Sequence, residues 1–432
     1  MSAGNLVTGA TGFLGSALAL ELLARTDERV ALLVRDSAVP PADRVVAALH
    51  RAAQDHGYPE DFVDRNRGRL NVVAGDLDAD PTGAAPALGP VARAWHCAAS
   101  LRYEDSHRDE IWHTNVEGTR KALELARRCS AAEFHHISTA YVAGTRKGIV
   151  PEVPVDAPAA APTNNADETS KVGGEQLVGA ERAMRTRIYR LSIVVGHSHT
   201  RETASNTGLY GFLGGLVRFR RMAQRRLGID PEGLTISLVA DPGAPLNFVP
   251  IDLAVAHAVD LADHEPEHPI VHVTNARPPT VGTVIDLIFD EVGLPRPRYV
   301  GSSDGLAPLD ARFDAGMTFY RSYICGGRRS PRISPPATAG SLPSTSSRTC
   351  SPRCTVPTIA ATTSPTWYPR AADRGSSEVG SSEGRKVGRP GPPPTGPTSR
   401  GARRPGVALA SRGLCRTDGA RPIGRGQRGH SG

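Results

Sequence analysis

Three glycines set two residues apart, Gly9, Gly12 and Gly15, lie in the stretch Thr8-Gly9-Ala10-Thr11-Gly12-Phe13-Leu14-Gly15. In such a pattern the backbone, not the side chains, does the binding. Gly9 lets the chain turn sharply, Gly12 keeps a Cβ out of the way of an approaching ligand, and Gly15 lets a helix pack closely on a strand. Apolar Leu6 and Val7 precede the turn, and Leu14, Leu18, Leu22 and Leu23 follow at helical spacing. The order predicts a strand, a glycine turn and a helix whose free N–H groups face the pyrophosphate of a dinucleotide. The spacing is Gly-x-x-Gly-x-x-Gly, and glycines alone would also suit a purely structural turn. Two downstream residues favour the binding role. Arg35, about 20 residues on, ends the apolar run Val30-Ala31-Leu32-Leu33-Val34 where an arginine suits a ribose 2′-phosphate. Asp76, in Gly75-Asp76-Leu77, ends a second apolar run where a carboxylate can accept from an adenine amino group. NADP is therefore expected over NAD, although Asp36 stands beside Arg35.

Further elements follow at a regular pitch. Residues 42–56 read as a helix, 70–74 as a third strand, and 91–97 as a fourth that ends in His96-Cys97-Ala98-Ala99. Small residues such as Ala98 would let a cofactor pass close to the backbone. Asn115-Val116-Glu117-Gly118-Thr119 heads a helix to Arg128, and 134–137 reads as a fifth strand leading into Ser138-Thr139-Ala140-Tyr141-Val142. A sixth strand is expected over 188–195. Strands alternating with helices predict an α/β Rossmann fold with a doubly wound parallel sheet, whose ligands lie at the carboxyl ends of the strands.

The charge of +7 over 432 residues first suggests a nucleic-acid partner, but its distribution does not. From Cys325 onward there are 18 basic and 4 acidic residues, whereas residues 1–324 carry 33 basic and 40 acidic ones. The body is mildly acidic. Two body cysteines, Cys97 and Cys129, without metal-ligand spacing fit a reducing, cytoplasmic setting. No leader or membrane-spanning run is expected, and no metal site. His197-x-His199 has a ligand spacing but no further ligands nearby.

Together the glycine stretch, Gly75-Asp76-Leu77, His96-x-Ala98-Ala99, Asn115-Val116-x-Gly118-Thr119 and Ser138-Thr139-Ala140-Tyr141-Val142 resemble the extended short-chain dehydrogenase/reductases. More narrowly the chain is similar to the fatty acyl-CoA reductase and thioester reductase branch over residues 4–324. The resemblance implies reduction of an acyl thioester, on coenzyme A or a carrier protein, to aldehyde or alcohol. It further implies Thr139 as the hydroxyl on the carbonyl oxygen, Lys171 as the lysine on the nicotinamide ribose, Asn115 as a member of the site, and Ile193 beside the nicotinamide. The position of the family's catalytic tyrosine, four before the lysine, holds Asp167. An aspartate there is expected to pair with Lys171 and to be a poor proton donor at neutral pH. The activity is then lost, or supplied by another donor. The same fold also serves sugar-nucleotide epimerases and dehydratases, hydroxysteroid-type dehydrogenases and non-catalytic NADP-binding proteins.

The expected division is a Rossmann domain at 1–196 with 248–272 and a substrate lobe at 197–247 with 273–324. Within the lobe, 208–226 is amphipathic and carries Arg218, Arg220, Arg221, Arg225 and Arg226, which suit a solvated face or the phosphates of a carrier. From Cys325 on, Pro, Gly, Ser and Arg dominate without apolar periodicity, so disorder is expected. A change of reading frame near Ile324 is one account of that composition. A basic tail that meets nucleic acid through phosphate contacts is the other.

Overall fold

The computed structural model describes residues 4–325, apart from 101, 103, 147–148, 156–161, 229 and 265–268, together with Arg332–Ile333. The first half alternates strand and helix. β1 (Gly4–Thr8), α1 (Phe13–Arg25), β2 (Val30–Val34), α2 (Pro41–Asp55), the single turn α3 (Phe62–Arg65) and β3 (Leu70–Ala74) build one wing. α4 (Ala85–Leu88), β4 (Val91–His96), α5 (Arg108–Trp112), α6 (Gly118–Arg128), β5 (Glu133–Thr139), the two-residue β6 (Ile149–Val150), α7 (Ala166–Ala180) and β7 (Arg185–Leu191) build the other. Next come β8 (Ile193–Val195), α8 (Leu209–Leu227), β9 (Ser237–Val239), β10 (Phe248–Pro250), α9 (Ile251–Ala262) and β11 (Ile270–Val273). The described body continues through α10 (Val281–Val292), β12 (Arg298–Val300), α11 (Pro308–Gly316) and α12 (Thr318–Ile324), and β13 (Arg332–Ile333) pairs with β6.

Seven strands form one sheet in the order β11-β7-β5-β4-β1-β2-β3, and every pairing within it is parallel. Every residue of β1 and β2 is buried, as helices on both faces require. On one face Leu18, Leu22, Trp95, Ile251 and Val255 join α1, α2 and α9 to the sheet. On the other, Leu6, Leu33, Leu123, Phe134 and Val178 join α4, α6 and α7. Each fully buried leucine adds about 1.5–3 kcal/mol. The strand order reverses between β1 and β4, which opens a crevice at their carboxyl ends. A third apolar cluster, with Phe212, Leu216, Ile236, Phe248, Ile285, Phe289 and Phe313, gathers α8, α10 and α11 around β9 and β12.

Two expectations change. The single strand over 188–195 is broken. β7 ends at Leu191, the Ser192 N–H bonds the Val273 carbonyl, and Ile193 begins a separate parallel pair with Phe248. Asn247 fixes that exit by exchanging side-chain hydrogen bonds with the Asn275 backbone at 2.8 and 2.9 Å. Ile193 therefore lies outside the main sheet. The helix expected from Asn115 instead begins at Arg108 and passes through a π-turn at His113–Glu117 before α6, so Asn115 sits on a helical bulge. The tail beyond Cys325, with both accounts of its composition, lies outside the described residues except for β13. Among the described residues no helix is long and apolar enough to cross a membrane.

Candidate functional site

The glycine turn closes against the end of β4. Gly9 has φ of 74°, and a Cβ there would lie 2.7 Å from the Ala98 amide nitrogen, so only glycine admits this approach. A Cβ on Gly15 would run into the Gly9 carbonyl, which fixes how closely α1 sits on the turn. α1 starts at Phe13 after an N-cap glycine that offers no capping side chain. Its first N–H groups, including those of Leu14 and Gly15, are left for an outside acceptor. Thr11 and Gly12 are exposed above them, while Ala10 is buried beneath. Near Gly12 a Cβ would find only the Gly9 carbonyl, at 3.3 Å. The turn thus has the open space and free donors that a pyrophosphate needs.

Arg35 and Asp76 stand at the ends of β2 and β3. The Arg35 side chain is 65% exposed, and its guanidinium lies 3.6 Å from the Asp78 carboxylate. Asp76 accepts the Asp78 N–H at 2.9 Å, which tightens the turn through the half-buried Leu77. The arginine can swing toward a ligand because its one ion pair is exposed and weak.

A buried polar chain runs from the glycine turn to the helical bulge. Thr119 donates to the Asn115 carbonyl at 2.6 Å, so the His96 Nε2–H donates to Thr119 Oγ1 at 3.1 Å. His96 Nδ1 then accepts from Thr8 Oγ1 at 2.8 Å, and the Ala98 N–H reaches Thr8 Oγ1 at 3.4 Å. This tautomer follows from the pattern of partners. Burial, reinforced by the Lys171 charge, pushes His96 down to about 3, so the ring stays neutral. The same burial, opposed by Lys171, pushes the Cys97 thiol up to about 12 and leaves it inert as a nucleophile.

Asn115 ties the bulge to two other elements. Its Oδ1 accepts the Ser100 N–H at 2.8 Å, and its Nδ2 donates to Ser170 Oγ at 2.8 Å and Asp167 Oδ1 at 3.3 Å. Asp167 therefore bonds to Asn115 and does not close the ion pair with Lys171 expected from their spacing. Burial raises its carboxyl above the usual range, and Lys171 and the Asn115 amide oppose that rise. Lys171 is half-buried on α7, and its charge acts on His96, Cys97, His136 and Asp167. It thus faces the ends of β4 and β5. Thr139 ends β5, where its hydroxyl accepts the Tyr141 N–H at 3.3 Å and donates to the Leu191 carbonyl at 3.4 Å. Both bonds are long and easily exchanged for a better acceptor.

One part of the site was not foreseen. Glu175, one turn beyond Lys171, accepts from Ser138 Oγ at 2.6 Å, from Arg190 Nη2 at 2.7 Å and from Arg190 Nε at 3.0 Å. Arg190 is fully buried and also donates to the Val153 carbonyl at 3.0 Å. The trio clamps α7 to β5 and β7. A charge of each sign in otherwise apolar stretches was the only hint in the sequence. Elsewhere, His197 lies near His56 and, at 3.8 Å, Asp252, but among the described residues no group of side chains forms a metal site. Arg218, Arg220, Arg221 and Arg225 are exposed on α8.

The chain is similar to known proteins in sequence and in fold. Residues 7–258 match the male sterility protein family. Sterol demethylase protein B of Methylococcus capsulatus is 35% identical over 134 residues, 31% of this chain and 34% of that protein. Fatty acyl-CoA reductase 1 of Mus musculus is 35% identical over 160 residues, 33% of this chain and 29% of its own length. The chain thus spans about a third of the length of these curated relatives. Among solved structures, the terminal R domain from the myxalamid PKS-NRPS pathway superposes with a TM-score of 0.63 at 22% identity, covering 84% of this chain and 90% of that one. An archaeal thiolation-reductase di-domain gives 0.55 at 17% identity, over 69% and 61%. At these identities the likeness is one of fold. The match over 7–258 spans the glycine turn, the Asn115 bulge and the whole of α7, and the chain belongs to the male sterility protein family of NAD(P)-binding extended short-chain dehydrogenase/reductases.

Proposed function

We propose that this protein reduces acyl thioesters, carried on coenzyme A or a carrier protein, with NADP as its cofactor. The observation that carries the reading is the family match over residues 7–258, which spans the glycine turn, the Asn115 bulge and α7. The names of the relatives, fatty acyl-CoA reductase and a thiolation-reductase di-domain, support the thioester class. In its reduced form, NADPH, the bound cofactor would supply the hydride. The uncapped start of α1, with Gly9, Ala10, Thr11, Gly12, Phe13, Leu14 and Gly15, holds the pyrophosphate. Arg35 takes the 2′-phosphate, Asp76 and Leu77 frame the adenine, and Ala98 leaves room for the ribose. Ile193, at the start of β8, borders the nicotinamide. Lys171 orients the nicotinamide ribose, while Thr139 donates to the carbonyl oxygen as negative charge develops there. Asn115 positions α7 through Ser170 and Asp167. The substrate lobe comprises the third apolar cluster, around α8 and α10, and the exposed α8 arginines suit a phosphate-bearing carrier.

The deciding experiment follows NADPH consumption with a panel of acyl-CoA thioesters, on the purified chain and on Asp167→Tyr. Turnover in either, above that with nucleotide sugars or hydroxysteroids, supports the reading. NADPH binding without turnover of any thioester by either protein sinks it.

A further inference from the structure

The reduction proposed above needs a proton on the carbonyl oxygen, and Asp167 is badly placed to give one. Its Oδ1 accepts from Asn115, so the carboxylate is engaged as an acceptor. In its ionised form it would oppose the charge that develops on the substrate. A phenol stands nearby on a different element. Tyr141 lies on the short turn after β5, two residues from Thr139, and its N–H bonds the Thr139 hydroxyl oxygen. That turn packs against α7. The Tyr141 hydroxyl oxygen is buried and has no hydrogen-bond partner among the described residues. Leaving a buried hydroxyl unpaired is costly, and such a group calls for an explanation. A second phenol, Tyr323 of α12, meets Tyr141 edge-on, with ring centroids 4.8 Å apart at 77°. Tyr323 has its own partner in the Asn165 side chain, at the start of α7.

We propose that Tyr141 is the proton donor of this chain, in place of the phenol absent from position 167. The inference rests on the thioester-reductase reading. Hydride brings an electron pair to the carbonyl carbon, and the C=O π pair moves onto oxygen. The Tyr141 O–H bond then breaks, places its proton on that oxygen and leaves a phenolate that solvent reprotonates. The hemithioacetal so formed releases a thiol and an aldehyde. Burial and the Glu168 carboxylate both raise the Tyr141 phenol above its ordinary value, so it enters the reaction protonated. The charged and titratable groups that act on this pair of phenols are Glu168 and Asp167 of α7. The carbonyl oxygen supplies the acceptor that the buried hydroxyl lacks, and Thr139 shares it.

The test uses the full chain and has a readout separate from turnover. A thioester labelled with 13C at its carbonyl is bound to the NADP+ complex, which cannot reduce it, and its C=O stretch is recorded by isotope-edited infrared difference spectroscopy. The expected result is a stretch lowered in the wild type and returned toward the free value in Tyr141→Phe, with no change in Tyr323→Phe. In parallel, Tyr141→Phe should lose about 100-fold in kcat at unchanged KM and NADPH affinity. A thermal midpoint equal to that of the wild type certifies the fold. Retained stretch and kcat in Tyr141→Phe, with kcat lost in Asp167→Asn, overturns the proposal and makes Asp167 the donor. If thioesters show no Tyr141-dependent band but a ketone or aldehyde does, Tyr141 stands and the thioester reading falls. A wild type that perturbs no carbonyl of any class overturns both.

Discussion

The two walls of the crevice are built on opposite principles. At the glycine turn, backbone makes the site, through one positive φ, two forbidden Cβ positions and a helix start without a cap. On the α7 side, side chains make it. Glu175, Arg190, Ser138, Asn115 and Ser170 are joined through hydrogen bonds across four elements, α7, β5, β7 and the π-turn. A wall of backbone tolerates almost no change at its glycines but is indifferent to its other side chains. A wall of side chains depends on each charged partner being matched, and spreads its contacts over several elements.

The two walls should break differently. The largest effect is expected from Glu175→Ala, which leaves Arg190 buried without its counter-charge and should cost about 4 kcal/mol in a urea melt. Gly15→Ala sets a Cβ against the Gly9 carbonyl, and should cost about 3 kcal/mol and abolish NADPH fluorescence titration. Conversely, Thr11→Ala at the exposed tip should leave the melt unchanged, and equal losses at both sites would end the backbone reading. Acid should weaken the buried histidines beneath the crevice. His96 is held at about 3 when folded against an ordinary 6.5, so the unfolded chain binds more protons between those values. Stability should be flat above pH 7 and fall below about 6.5, by about 2 kcal/mol at pH 5 for this residue alone. The burial that lowers His135 to about 4 acts in the same sense. A melt independent of pH over that range would refute it. The smallest effect is expected from Arg35→Ala, which should raise the NADPH Kd about 10-fold and leave that of NADH alone, about 1.4 kcal/mol. Equal weakening of both would remove Arg35 from 2′-phosphate recognition.

The contrast also explains what could be read from the chain itself. The glycine turn is legible because its geometry is set by contiguous residues, each with a local job. The parallel sheet is legible because uniformly apolar runs such as Val30–Val34 suit only strands covered on both faces. The break at Ser192 is not, since 188–195 reads as one β pattern and the partners that split it, Val273 and Phe248, lie more than 50 residues away. Asn115 was marked by its motif, but its partners at Ser100 and Asp167 become visible only once α7 folds over the bulge. The ring pair of Tyr141 and Tyr323 joins the middle of the chain to the last helix of the body, and no spacing announces it.

The short pairing of β8 with β10 has an evolutionary consequence. It draws together the two ends of the excursion that carries α8 and β9, so that segment is a loop closed at its base by the sheet side of the molecule. The entropy of closing such a loop grows only logarithmically, by about 0.6 kcal/mol for each doubling of its length. Residues can therefore be added to or removed from the excursion at little thermodynamic penalty to the seven-stranded sheet. A single nucleotide-binding chassis can in this way be refitted with pockets of different depth, while the strands that hold the cofactor keep their register.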